Sequence, residues 1–307
     1  MARETYLAQV RLLVRLLPLL ADEPDFALKG GTAINLFYRD MPRLSVDIDL
    51  AYLPIAERAP SLEAIDEAFD RLTARINALP GAKAGRIAGG GGETRILADA
   101  GRVTVKIETS PVMRGVIGKT RLMRAAPAVE DRYGFVETKV VSFDDLYASK
   151  LHAALDRQHP RDLFDIKLLY ENEGLTDELF GAFLIYIACS SRPTHELLAP
   201  NEKDIAAEFE KELVGMTAAP VALEELTGAR SQLIADVRSR IKGPAAEFLM
   251  TLQAGEPDFS LIGLPQAAAL PAIKWKILNL KKLMAENPDK HRVQREQLSA
   301  ILHTAEL

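Results

Sequence analysis

Between residues 44 and 50 apolar and polar positions alternate without exception, with Leu44, Val46, Ile48 and Leu50 on one side and Ser45, Asp47 and Asp49 on the other. That two-residue period predicts a half-buried strand. Upstream, the short apolar approach 26–29 meets two breakers, Gly30 and Gly31. Thr32 follows as a candidate cap, and Ala33, Ile34, Leu36 and Phe37 recur at helical spacing until Met41 and Pro42. The predicted order is extended segment, glycine turn, helix, strand.

Around this stretch the pattern continues to alternate between the two periods. Leu12, Leu13, Leu16, Leu17 and Leu20 predict an opening helix over 6–20, and Ile65, Phe69, Leu72, Ile76 and Leu79 form the stripe of a second helix that begins near Ser61 and ends at Pro80 and Gly81. Residues 83–88, 94–98 and 102–109 read as short extended segments with turn residues between them. The glycine run 89–92 reads as a flexible hairpin tip, because no Lys-Ser/Thr pair and no helix follow it. A further strand is expected over 135–141. From Phe143 onward the periodicity is helical: 143–158, 161–171, 177–190, 204–213, 223–241, 245–252, 265–284 and 289–301. The fold class expected is α/β (α+β), with a mixed-sheet core over 1–142, a helical domain over 143–307 and an active site in the cleft between them.

Composition narrows the class. With 307 residues, 48% hydrophobic and 26% charged, the chain can bury a sizeable core. The apolar run 12–20 is broken by Arg15 and Pro18, and the N-terminus carries no secretory cleavage pattern, so a cytoplasmic protein without membrane spans is expected. The single Cys189 excludes an intramolecular disulfide and a cysteine-rich metal site, and reads as a buried small hydrophobe. A net charge of −5 excludes a uniformly basic coat, leaving local patches as the only route to nucleic acid.

The candidate chemistry begins with Asp47 and Asp49, which the strand period puts on one face. Two adjacent carboxylates repel, and a cation relieves them; hard oxygen ligands suit Mg²⁺ carrying a nucleotide's phosphates. The bland alternative is a solvated strand face. The glycine turn favours function, because backbone N–H groups in such a turn receive phosphate oxygens. On 102–108, Val103, Val105 and Ile107 share one face while Thr104, Lys106 and Glu108 share the other; Glu108 is either a third site carboxylate or a strand-end residue paired with Lys106. Arg102, Lys106, Arg114, Lys119, Arg121 and Arg124 give this region a basic excess that suits triphosphate or RNA, or simply a solvated loop.

A second constellation lies in the helices. On a wheel of 143–158, Lys150 and Arg157 fall within the arc of Phe143, Leu146, Tyr147, Leu151, Ala154 and Leu155, two cations aimed inward. The next helix carries Asp162 and Asp165 one turn apart on a nearly all-apolar surface, where carboxylates require partners. Lys150 and Arg157 supply these in a structural reading; in a functional one they take triphosphate oxygens. His152 reads as surface and His159 as a turn residue before Pro160. Lys274, Lys276, Lys281, Lys282, Lys290, Arg292 and Arg295 either reach RNA or, the more ordinary reading, form solvated faces of terminal helices.

Gly30-Gly31-Thr32 followed by Ser45-Val46-Asp47-Ile48-Asp49 resembles the opening motif of the nucleotidyltransferase superfamily. More narrowly, Lys29 to Ala33 with Arg43 to Leu50, together with Lys150, Arg157, Arg161, Asp162 and Asp165, resembles the AbiEii/AbiGii toxin family, MenT-like nucleotidyltransferases of type IV toxin–antitoxin and abortive-infection systems. The resemblance covers roughly 26–170. It implies a metal-dependent nucleotidyltransferase in which Asp47, Asp49 and Glu108 hold Mg²⁺. Gly30, Gly31, Thr32, Ser45, Lys150 and Arg157 bind the NTP, and Asp165 is an active-site acid beside Asp47, Asp49 and Lys150. It further implies transfer of NMP to an acceptor hydroxyl such as the 3′ end of tRNA, growth arrest, and an AbiEi-like antitoxin as partner. The rival readings are a small-molecule nucleotidyltransferase of the aminoglycoside-modifying kind and a non-catalytic binding module.

Overall fold

The structure, a computed structural model, describes residues 2–88 and 94–306; the glycine run expected as a hairpin tip lies outside them. The chain divides into two compact units, Met1–Leu146 with Leu213–Val221, and Tyr147–Glu212 with Ala222–Leu307.

The first unit opens with helix α1 (Ala2–Leu16). Pro18 stands at the start of the following turn, and the chain tightens there into a 3₁₀ stretch, Leu17–Asp22, so the α-helix ends earlier than the leucine stripe suggests. Strand β1 (Phe26–Lys29) runs into α2 (Gly30–Ala33), which widens at once into a π-helical turn, Ile34–Tyr38. The Asn35 side-chain amide reaches back from this turn to donate to the Gly31 carbonyl of α2 at 2.9 Å. Then come β2 (Asp47–Tyr52), α3 (Arg58–Asn77), β3 (Lys83–Ala88), β4 (Thr94–Ala100), β5 (Val103–Arg114), β6 (Arg121–Arg124), α4 (Pro127–Tyr133) and β7 (Glu137–Val140).

These strands form one mixed sheet in the order β3-β4-β5-β2-β1-β7-β6. Strand β2 lies antiparallel to β1 and parallel to β5, and β1 is parallel to β7. The apolar face is set by register: Ile48, Ile107 and Ile96 stand side by side on β2, β5 and β4 and are fully buried. Because side chains alternate along each strand, the neighbouring positions 47 and 49, 106 and 108, and 95 face the other way together. Helix α3 buries Ile65, Phe69, Leu72 and Ile76, and Phe69 meets Phe26 of β1 at 5.8 Å between ring centroids.

Strand β2 begins at Asp47, three residues after the start of the alternation. Leu44 is engaged elsewhere, its N–H donating to the Met216 carbonyl at 2.8 Å, while Ala218 N–H donates to Pro42 O at 2.8 Å. Residues 213–221 thus return to the first unit and brace the segment leading into β2.

The second unit is helical. Helix α5 (Phe143–Asp156) carries the chain into it, followed by α6 (Pro160–Asn172), α7 (Asp177–Cys189), α8 (Thr194–Leu198), α9 (Ala206–Glu212), α10 (Leu223–Arg240), α11 (Pro244–Gln253), α12 (Pro271–Glu286) and α13 (Pro288–Glu306). Helix α7 is apolar nearly all round and buries Leu179, Phe180, Phe183, Leu184, Ile185 and Ile187, each side chain contributing about 1.5–3 kcal/mol of transfer free energy. Cys189, at its end, is only partly buried. The long helix expected over 265–284 is two elements, because Pro271 cannot continue the 3₁₀ turn Pro265–Ala269 and instead starts α12. Among the described residues, no helix is long and apolar enough to cross a membrane.

Candidate active site

Gly30 adopts φ +73°, a left-handed conformation that favours glycine. The space around it is equally restrictive, since a Cβ there would lie 2.2 Å from Asp49 Oδ2. The glycine is therefore what lets the start of α2 approach the Asp49 carboxylate. A Cβ on Gly31 would lie 2.7 Å from an Arg43 guanidinium nitrogen and 3.1 Å from Ser45 Oγ. Both glycines let the backbone lie close to charged or polar groups carried by the segment 43–49.

Thr32 does not cap the helix. Lys29 occupies the N-cap position with no side-chain cap bond, and the fully buried Thr32 donates its hydroxyl to the Asp47 carbonyl at 2.5 Å and is hydrogen-bonded to Ser45 Oγ at 3.0 Å. Its role is to fasten α2 to the start of β2. Thr32, Ser45 and the two glycines thus sit together.

Asp47 and Asp49 share one face of β2 and are partly exposed. Register places Lys29 beside Asp49 on β1, Glu108 beside Asp49 on β5, Lys106 beside Asp47, and Arg95 beside Glu108 on β4. The Asp49 carboxyl is held above the usual carboxylate range: burial raises it, Lys29 opposes the rise, and the negative charges of Asp47 and Glu108 reinforce it. Glu108 behaves oppositely. Its Oε1 accepts from Lys106 Nζ and its Oε2 from Arg95 Nε, both at 2.9 Å, and although burial pushes its carboxyl up, these two cations bring it below the usual range.

A hard divalent cation suits Asp47 and Asp49, two oxygen-donor groups on one face whose mutual repulsion is already felt by Asp49. Glu108 as it stands is turned to cations of the protein, and among the described residues no group of three or more His, Cys, Asp or Glu side chains is gathered as a metal site. Sequence reading had weighed Lys106 as a partner of Glu108, and the structure pairs them. It had not found Arg95, whose place beside Glu108 depends on which strands are neighbours.

The second constellation lies in the helical unit. Lys150 Nζ stands 2.7 Å from Asp162 Oδ1 and 3.1 Å from Asp165 Oδ2, with all three side chains buried. Arg157 adds bonds from Nε and a terminal nitrogen to Asp162 at 2.5 and 3.0 Å. The two carboxylates on the apolar helix do therefore have Lys150 and Arg157 as neighbours. The wheel misplaced Arg157, however: α5 ends at Asp156, and the Arg157 side chain is 63% exposed. Gln158, next in sequence, adopts φ +55° and is buried, accepting from Arg230 at 3.0 Å and donating to Asn201 O at 2.8 Å.

Of the two histidines, His159 stands as expected in the turn before Pro160, and His152 differs from its expected surface position. His152 is half-buried, and its buried Nε2 has no hydrogen-bond partner among the described residues. His159 caps α6 by accepting the Arg161 N–H at 3.1 Å, and its other ring nitrogen lies 2.8 Å from Glu212. Of the C-terminal lysines read as solvated, Lys276 is buried and donates to the carbonyls of Ser190 and Arg192 at 2.8 and 2.9 Å; burial lowers its pKa to about 8.

Comparison with known proteins bears on this arrangement. No curated protein matches the sequence. Among solved structures, MenT4, the nucleotidyltransferase toxin Rv2826c from Mycobacterium tuberculosis H37Rv, is similar with a TM-score of 0.61 at 15% sequence identity, over 90% of this chain and 92% of that one. At that identity the likeness concerns the fold. The sequence itself matches the family model described as nucleotidyl transferase AbiEii toxin, type IV toxin–antitoxin system, over residues 11–260, and the chain therefore belongs to that nucleotidyltransferase toxin family.

Proposed function

We propose that the protein transfers a nucleoside monophosphate from an NTP to an acceptor hydroxyl, releasing pyrophosphate, and that the acceptor is the 3′ end of tRNA. The observation that carries the chemistry is the fit of Gly30 against Asp49: a left-handed glycine lets the backbone at the start of α2 lie beside the Asp49 carboxylate, which shares its face with Asp47. Polyphosphate oxygens and the oxygen ligands of a divalent cation are then accommodated side by side. Asp47 and Asp49 would hold Mg²⁺, with Glu108 as a third donor. When bound, the ion would neutralise charge on the phosphates.

The chain's own part is positioning. Gly30 and Gly31 offer backbone N–H groups with no side chain in the way, and Thr32 and Ser45 fix those amides relative to β2. Lys29 and Lys106 supply positive charge on the same face. Holding the α-phosphorus in line with the attacking hydroxyl is where most of the acceleration of such a transfer arises. For Lys150, Arg157 and Asp165 the family resemblance supports roles in nucleotide transfer, proposed as a separate claim because their observed contacts also suit a structural ion-pair cluster. An AbiEi-like antitoxin as partner, growth arrest as outcome and a cytoplasmic location follow from the same family reading.

The test is incubation of the purified protein with labelled NTPs and Mg²⁺, with total tRNA in one arm and aminoglycosides in the other. Label on tRNA 3′ ends, lost in Asp49→Ala, supports the proposal. Label on the aminoglycoside would replace the acceptor, and absence of any transfer with toxicity intact in Asp49→Ala would favour a non-catalytic module.

A further inference from the structure

Lys29, Asp49, Glu108 and Arg95 form a single row across β1, β2, β5 and β4, cation, carboxylate, carboxylate, cation. One step along the strands, Asp47 stands beside Lys106. Three carboxylates are thus matched by three cations on one face of the sheet, a neutral cluster where a site for a metal–polyphosphate complex has to accept both a cation and a polyanion.

Within this cluster Glu108 is held in a particular way. Each of its oxygens takes one cation, Oε1 from Lys106 and Oε2 from Arg95, both at 2.9 Å, and the side chains of Glu108, Lys106 and Arg95 are 24, 35 and 36% exposed. Two cations gripping two oxygens of one anionic group is also the geometry in which a phosphate is held. These pairs are partly exposed, so an anion arriving from solvent can reach both cations.

We propose that Glu108 is a resident stand-in for substrate phosphate: Lys106 and Arg95, which grip its carboxylate, pass to the polyphosphate of the incoming nucleotide, releasing Glu108 towards Asp49. The identity of the anion as a nucleotide polyphosphate rests on the nucleotidyl-transfer reading above. The exchange makes polyphosphate and cation binding mutually supporting. Polyphosphate removes the cations from Glu108, and an accompanying cation offsets the repulsion among the three carboxylates that this leaves together. It also assigns Arg95, which no sequence pattern singles out, as a ligand of the polyphosphate together with Lys106.

The experiment measures binding of inorganic tripolyphosphate to the full chain in EDTA by calorimetry. Glu108→Gln removes the competing carboxylate charge and is expected to tighten this metal-free binding roughly tenfold, the scale of one charge-assisted hydrogen bond. Lys106→Gln and Arg95→Gln are expected to weaken it by a similar factor, and Glu108→Gln combined with Lys106→Gln to lose the gain. Unchanged or weaker binding in a folded Glu108→Gln protein overturns the proposal. Should that variant not fold, Lys106→Gln decides alone: a loss of that size supports the exchange, and unchanged affinity overturns it. Nucleotide transfer by the wild-type preparation separates the two readings. Transfer with an unaltered tripolyphosphate pattern removes the exchange and keeps the transferase, and the expected pattern without transfer keeps the polyphosphate site and removes the transferase.

Discussion

Asp49 is packed against Gly30 so closely that a Cβ at residue 30 would lie 2.2 Å from its Oδ2. Backbone conformation and side-chain space therefore select glycine independently. Gly30→Ala is expected to cost about 1–2 kcal/mol for the left-handed backbone alone, and more as the carboxylate is displaced. Urea unfolding of Gly30→Ala should show a lowered midpoint with an unchanged slope, accompanied by loss of nucleotide transfer; a variant with both properties intact would mean that the approach of α2 to Asp49 is unimportant.

For Asp49 itself, stability and function should part. Its folded-state pKa is raised, by burial first and then by Asp47 and Glu108 against the opposing Lys29. A group of this kind stabilises below its unfolded pKa, about 3.9, and that contribution is lost as pH rises through the folded value. At pH 7 the ionised carboxylate is thus a burden, and Asp49→Asn is expected to unfold at the same temperature as the wild type or higher, while nucleotide transfer disappears. The advantage of Asp49→Asn should shrink as pH is lowered towards 4. Thermal unfolding at pH 4 and pH 7 measures both, and a variant markedly less stable at pH 7 would contradict the assignment.

Thr32 offers a test of how the glycine turn is held. Its hydroxyl, fully buried, bonds Ser45 Oγ and the Asp47 carbonyl. Thr32→Val keeps the shape, leaves the Asp47 carbonyl without its donor and the Ser45 hydroxyl without this partner, and is expected to cost about 1–3 kcal/mol. Reduced transfer accompanied by a raised KM for NTP would reflect a loosened turn. A variant with wild-type stability would show instead that Thr32 is replaceable by packing.

The local chemistry of this region was legible because it is written in short periods. Alternation over residues 44–50 put Asp47 and Asp49 on one face, as they are on β2, whereas the two glycines expected as a turn before a helix are themselves the first residues of α2. What was not legible depends on partners distant in sequence. Arg95 belongs beside Glu108 only because β4 pairs with β5 in a particular register, and Leu44 leaves the strand only because Met216 returns to bond it. Strand β6, Arg121-Leu122-Met123-Arg124, lacks an apolar stripe because it lies at the sheet edge with Leu122 exposed. The wheel error at Arg157 has a similar cause: extending the period one residue past the end of α5 turned a surface arginine inward, and the left-handed Gln158 that stops the helix carries no glycine or asparagine signal.

The buried cluster of the helical unit makes the opposite prediction to Asp49. Burial pushes the Asp162 carboxyl up, but Lys150, at 2.7 Å, and Arg157 more than reverse this and hold it far below the usual carboxylate range. A depressed carboxyl contributes stability that is fully present above its unfolded pKa of about 3.9 and is lost as pH falls through the folded value. Asp162→Ala leaves Lys150 with Asp165 alone and is expected to cost about 3–5 kcal/mol at pH 7. Because the wild type begins to lose its advantage only below pH 4, the gap between the two proteins should stay constant from pH 7 to 5 and narrow by about 1 kcal/mol by pH 3. Urea titrations at these pH values measure the gap directly. A difference that narrowed already between pH 7 and 5 would place the titrating group elsewhere, and no difference at all would mean that the ion pairs do not hold α5 to α6.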